Sequence, residues 1–255
     1  MCELLGMSAN IPTDICFSLK GLARRGGEKG PHKDGWGITF YEGKGCRSFK
    51  DPMPCCSSPI SKLLQDYPIK SQVVIGHIRQ ANRGRIALEN THPFTRELWG
   101  NNWTFAHNGQ LTDYEKLDTG NYLPIGQTDS EFAFCYLLAQ LAAKYPKKPN
   151  KLDEVFQFIK QCADYLNTLG ICNLLISDGE YLFAYCSTKL HWLTRRAPFG
   201  KAKLLDEDVE IDFKIHTTPS DIVTMIATMP LTSNEIWQAI EVKQAKLFKN
   251  GEVIF

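Results

Sequence analysis

The chain has 255 residues, 43% hydrophobic and 22% charged, an ordinary balance for a soluble globular protein with room for a sizeable core. Twenty-nine basic residues face twenty-eight acidic ones, and a net charge of +1 argues against a nucleic-acid-binding surface. No apolar run approaches the roughly 20 residues that cross a bilayer, and Met1-Cys2-Glu3-Leu4-Leu5 lacks the basic start and long apolar core of a signal peptide.

A strand-like segment opens the chain. Thr13 then reads as the cap of a helix through Ile15, Leu19 and Leu22 that stops at Gly26-Gly27. A Gly- and Lys-rich loop follows, and Trp36–Glu42 and Cys46–Lys50 form a hairpin around Gly43-Lys44-Gly45. Pro59–Gln65 reads as a short helix, Val73–Arg79 as a buried strand, and Trp103–His107 as a strand ending at Asn108-Gly109. Two long helices come next, Asp129–Tyr145 behind the capping residue Thr128, and Leu152–Leu169. The remainder is strand-rich: Cys172–Ser177, Tyr181–Cys186, His191–Arg195, Ile222–Thr228, Glu241–Lys249 and Val253–Phe255.

Strands, then two consecutive helices, then strands do not alternate as a doubly wound sheet would. The order suits two stacked antiparallel sheets between helical layers, an α+β architecture, with residues 1–255 as one domain. Nine cysteines, an odd number without a Cys-x-x-Cys pair, read as reduced thiols in a cytoplasmic protein.

Cys2 carries special chemistry if Met1 is removed, because one residue then holds both a thiol and an α-amine. An α-amine with a pKa of about 7.7–8.0 is partly unprotonated at neutral pH and can take the thiol proton. The plainer reading is a small residue opening a strand. Other segments have the same ambiguity. Asn108-Gly109 is either a turn or a side-chain amide and a backbone N–H converging on one oxygen. Arg79, ending a buried strand, either makes a structural ion pair or grips a carboxylate. Asp129 either favours the N-terminus of its helix or accepts an ammonium.

Together, Cys2, His77-Ile78-Arg79, Asn90-Thr91-His92-Pro93, His107-Asn108-Gly109 and Thr128-Asp129-Ser130-Glu131 resemble, in order, the motifs of class II glutamine amidotransferases, a branch of the N-terminal nucleophile hydrolases. The chain looks most like members consisting of the glutaminase-type domain alone. The resemblance implies a four-layer αββα sandwich. It implies Cys2 as nucleophile, Asn108 and the Gly109 N–H as the oxyanion hole, Arg79 on the substrate α-carboxylate and Asp129 on its α-ammonium. Asn82 is a further carboxylate contact, while His77, His92 and His107 shape the surrounding loops rather than hold a metal.

Gln80-Ala81-Asn82 departs from the aromatic residue and threonine that follow the arginine in many synthetase-linked members. His32-Lys33-Asp34-Gly35-Trp36-Gly37 likewise replaces another of their segments, with His32 and Asp34 read either as closing over the pocket or as a mere turn. No cofactor is expected. The expected ligand is glutamine or another γ-glutamyl compound, and a separate synthetase subunit, a self-sufficient γ-glutamyl hydrolase and a silent sensor stay open. Oligomeric state is not legible. Arg83 and Arg85 read as a solvated loop or as contacts to an anionic leaving group, and Asp206-Glu207-Asp208 as a surface turn.

Overall fold

A computed structural model describes residues 2–149, 152–215 and 217–255, with Leu152 and Ile215 described by backbone alone. The first strand, β1 (Glu3–Thr13), is apolar on both faces and so lies deep in the molecule. Leu5, Met7 and Ala9 point towards helices α1 (Cys16–Arg25) and α2 (Pro59–Asp66), where they meet Leu19, Leu22 and Leu64. Leu4 points the other way, into a second apolar layer with Val73, Ile75, Leu175 and Phe248. Gly6 shares that face, where a Cβ would stand 3.1 Å from Leu182 and 3.2 Å from Leu175.

Antiparallel pairing around β1 gives a seven-stranded sheet. It adds β2 (Trp36–Glu42), β3 (Gly45–Asp51), β4 (Ser71–Ile78), β9 (His191–Arg196), β12 (Ile222–Ala227) and β13 (Gln238–Ala239), in the order β13-β9-β12-β1-β4-β2-β3. A six-stranded sheet stacks on it. Its strands are β5 (Phe94–Leu98), β6 (Asn101–Leu111), β7 (Gly170–Ser177), β8 (Leu182–Cys186), β14 (Gln244–Lys249) and β15 (Glu252–Val253), in the order β15-β14-β8-β7-β6-β5. The Tyr41 hydroxyl crosses between the sheets, bonding Asn102 O, Thr104 Oγ1 and Ser177 O at 2.8–2.9 Å.

Helices α3 (Asp129–Lys144) and α4 (Leu152–Thr168) cover the outer face of the six-stranded sheet through Phe134, Leu138, Ile159 and Leu166 against Phe105, Leu174 and Phe183. The order of layers is therefore helix, sheet, sheet, helix, as the motif resemblance implies. Thr128 caps α3, its hydroxyl accepting Glu131 N at 3.2 Å. Among the described residues no helix is long and apolar enough to cross a membrane.

Three local expectations change. Thr13 closes β1 rather than capping α1; Ile15 occupies the cap position, and the Asp14 carboxylate accepts Cys16 N at 3.2 Å. The strand expected to end at Asn108-Gly109 runs on to Leu111, because both residues pair with β7, Asn108 opposite Asn173 and Gly109 opposite Cys172. Asp206 and Glu207 are not a free surface turn but clamp α1, bonding Arg25 Nε at 2.6 Å and Arg24 Nη2 at 2.7 Å. Strands β5 and β13, and the small ribbon of β10 (Lys201–Lys203) and β11 (Glu210–Asp212), were not anticipated. They are short edge elements, and β10 and β11 are interrupted by charge.

Candidate active site

β1 delivers Cys2 to the end of the sheet sandwich, beside the loop that leaves β4. The sulfur accepts Gln80 N at 3.3 Å and donates to Gln80 O at 3.5 Å, and the residue is 9% exposed. Burial pushes the thiol up to about 11, while the Gln80 backbone bond and the Arg79 charge pull it back in part. Such a thiol is protonated at neutral pH and needs a base to react. Met1, whose removal would expose an α-amine for that task, lies outside the described residues.

The residue after Cys2 is held firmly. Glu3 is buried, and its carboxylate meets Arg25 Nη1 at 3.3 Å. Arg25 also donates to Asp206 and to the carbonyls of Met229 and Pro230. Desolvation raises the Glu3 carboxyl above its ordinary range against the pull of Arg25.

Arg79 leaves β4 with its guanidinium turned onto its own loop. Nη1 donates to Asp34 O and Arg85 O, and Nη2 to Arg83 O and Gly84 O, at 2.8–3.4 Å. Gripping a carboxylate would exchange the longer of these bonds. Asp34 secures the same loop, its carboxylate accepting Ala81 N at 2.7 Å. Asn90 ties the next stretch to the entry of α3, donating to Arg85 O and accepting Gln127 N.

Side-chain alternation along β6 separates Asn108 from Gly109. Gly109 faces the Cys2 cavity, whereas Asn108 faces the space between the sheets. There the Asn108 amide donates to Thr228 Oγ1 at 3.3 Å, and its Oδ1 is buried without a partner. Thr228 Oγ1 also accepts Leu4 N at 2.9 Å, so one hydroxyl joins Asn108 to the strand carrying Cys2. Asp129, at the first position of α3, is 6% exposed and accepts Leu111 N at 2.7 Å.

The three histidines are buried near one another. His77 stacks on His92 with ring centroids 4.1 Å apart, and His77 Nε2 bonds His107 O. His107 bonds Ser130 Oγ at 2.8 Å and Ile171 O at 3.1 Å. Burial lowers all three, His77 to about 3, so the cluster is neutral at physiological pH. Among the described residues no histidine nitrogen bonds the Cys2 sulfur, and no group of three or more His, Cys, Asp or Glu side chains could hold a metal ion.

One cavity is thus lined by Cys2, Arg79, Asn82, Gly109 and Asp129, with His92 and His107 in its wall. His77 stands behind His92, and Asn108 behind Gly109. Sequence reasoning did not find the supports Arg25 and Thr228, whose partners lie 22 to 224 residues away. Nor did it give Gln80 and Ser130 the contacts described above. The cavity is about 20 Å3, room for one water.

The family model described as "Glutamine amidotransferases class-II" matches residues 1–255. An Escherichia coli K12 relative bearing the name "Putative glutamine amidotransferase YafJ" is 67% identical over 252 residues, covering 99% of each chain. A Pseudomonas aeruginosa crystal structure described as a "predicted glutamine amidotransferase" is 48% identical, with a TM-score of 0.80 and full coverage of both chains. The phosphoribosylpyrophosphate amidotransferase of Bacillus subtilis shares the fold at 15% identity and a TM-score of 0.63, with 99% of this chain matching 48% of that one.

Proposed function

The chain belongs to the class II glutamine amidotransferases, and on that premise we propose that it hydrolyses the side-chain amide of glutamine or a related γ-glutamyl compound through a thioester on Cys2. The observation that carries this reading is the shared cavity. Cys2, Gly109, Asp129 and Arg79, which carry the thiol, a close-approach backbone, a carboxylate and a guanidinium, line one small space.

In the proposed reaction the freed α-amine of Cys2 takes the thiol proton, and the sulfur attacks the γ-carbonyl carbon. The developing oxyanion is met by the Gly109 N–H and the Asn108 amide; the latter must turn from Thr228 or act with it. The C–N bond breaks, ammonia leaves with the proton, and water then cleaves the thioester to glutamate. Asp129 and Arg79 bind the α-ammonium and α-carboxylate, with Asn82 at the rim.

A second reading, hydrolysis of γ-glutamyl peptides, draws support from Arg83. This residue lines the cavity, and its Nε is buried without a hydrogen-bond partner. Such a group suits a carboxylate on the departing half. Glutamate release from glutamine and from γ-glutamyl dipeptides, with Cys2→Ala as control and intact mass to report Met1, tests both. We expect release that requires Cys2 and follows the fraction of chain lacking Met1. Wild-type rates from Cys2→Ala would sink the mechanism; binding without turnover by the processed chain would make it a sensor. Co-purification tests for a synthetase that takes the ammonia.

A further inference from the structure

A second cavity, about 300 Å3, lies between α1 and the outer face of the seven-stranded sheet and shares no residue with the cavity at Cys2. That volume is at the lower end of small-molecule sites. Its floor is Met7, Val223 and Met225 of β1 and β12, all buried. Its walls are aromatic. Phe213 meets Phe17 edge-on at 5.5 Å and Phe199 edge-on at 6.2 Å, and Arg195 lies over the Phe213 ring at 4.8 Å.

The charged residues of this cavity do not contribute equally. Arg195 is spoken for by a two-pronged pair with Glu235 at 2.6 and 2.7 Å. Lys20 pairs with Asp66, and Glu210 with Lys201, each at 3.1 Å. Asp14 differs: its carboxylate accepts the Cys16 N–H at 3.2 Å and also meets the Cys16 thiol, and no salt bridge joins it to a cation among the described residues. Among the described residues that line this cavity, the charge without a counter-charge is therefore negative, on the exposed Asp14, beside an apolar and aromatic interior.

We propose that this cavity is a binding site for a small organic amine, a compact aromatic or branched aliphatic body bearing one ammonium group. The body displaces water from the phenylalanine and methionine walls, and the ammonium pairs with Asp14. A carboxylate-bearing ligand of the same shape would meet repulsion at the mouth, which gives the site its sign.

Calorimetric titration of the full chain with 2-phenylethylamine, and with 3-phenylpropionate as the oppositely charged control, tests this. We expect saturable one-to-one binding of the amine with a Kd below about 5 mM, reasonable for nine non-hydrogen atoms. The carboxylate should bind at least about tenfold more weakly, and Asp14→Asn should weaken the amine about tenfold. Ile211→Trp, which fills the cavity from its exposed side, should abolish binding while far-ultraviolet circular dichroism stays unchanged. Asp14→Asn carries the test if the filled variant does not fold. No saturable amine binding, equal affinity for the two probes, or amine affinity unmoved by Asp14→Asn would each overturn the proposal. The readout is binding, so it stands or falls apart from the chemistry at Cys2.

Discussion

A methyl group on Gly109 would stand 1.8 Å from the carbonyl oxygen of Ile171, with the His107 ring 2.6 Å away on another side. The backbone of Gly109 sits in an ordinary ladder with β7, so what demands glycine is the space outside its Cα rather than an unusual dihedral angle. Gly109→Ala is therefore expected to push β6 from β7. Overpacking of this kind costs about 1–3 kcal/mol, and turnover should fall along with stability. Urea unfolding and glutamate release measured on the same preparation check this; an alanine variant of wild-type stability and rate would contradict it.

Asp129→Asn separates charge from scaffolding. The amide oxygen can still accept Leu111 N, so the thermal midpoint should change little. Losing a charged partner for the substrate ammonium, worth about 1.5–3 kcal/mol, should raise KM about tenfold to a hundredfold. An unchanged KM for glutamine would remove Asp129 from the substrate site.

Asn108→Ala is expected to lower kcat by about 10²–10³, the effect of deleting one oxyanion donor, with KM nearly constant. Thr228→Val should give a smaller kcat loss in the same direction, because its hydroxyl bonds both the Asn108 amide and Leu4 N. Steady-state kinetics on both variants test the pair. A rise in KM with kcat intact would assign Asn108 to ground-state binding instead.

The histidine cluster makes stability depend on acid. His77, His92 and His107 have folded-state pKa values depressed by burial. The unfolded chain thus binds protons where the folded one does not. Their contribution is present above the ordinary value near 6.5 and is lost as pH falls below it, with His77 itself titrating at about 3. Urea midpoints at pH 7.5, 6 and 5 should decline, and His92→Phe should flatten the decline while keeping a ring against His77 and Phe94. Parallel profiles for variant and parent would show that the acid sensitivity lies elsewhere.

The motifs around Cys2, Arg79, Asn108-Gly109 and Asp129 were readable because each is a short local pattern. The layers followed from two adjacent helices set between runs of strand. Asn108-Gly109 was misread as the end of a strand because that dipeptide is a common turn signal, and only its pairing with Asn173 and Cys172 shows otherwise. Arg25 is one of two adjacent arginines in the last turn of α1, and nothing local marks it out. Its bonds to Glu3, Asp206, Met229 and Pro230 join parts of the chain far apart in sequence. The same holds for Thr228, which reaches both Leu4 and Asn108.

Burial of the Cys2 sulfur against Gln80 bears on how long the protein keeps its reactive group. With the thiol pushed up to about 11, the protonated form dominates strongly at pH 7. Peroxides and disulfides attack the thiolate, and do so far faster where it is exposed. The protonated thiol should therefore react only slowly with such oxidants. On the proposed mechanism its vulnerability should be confined to the moments when the sulfur is deprotonated to react, so a chain busy with substrate would age faster than an idle one.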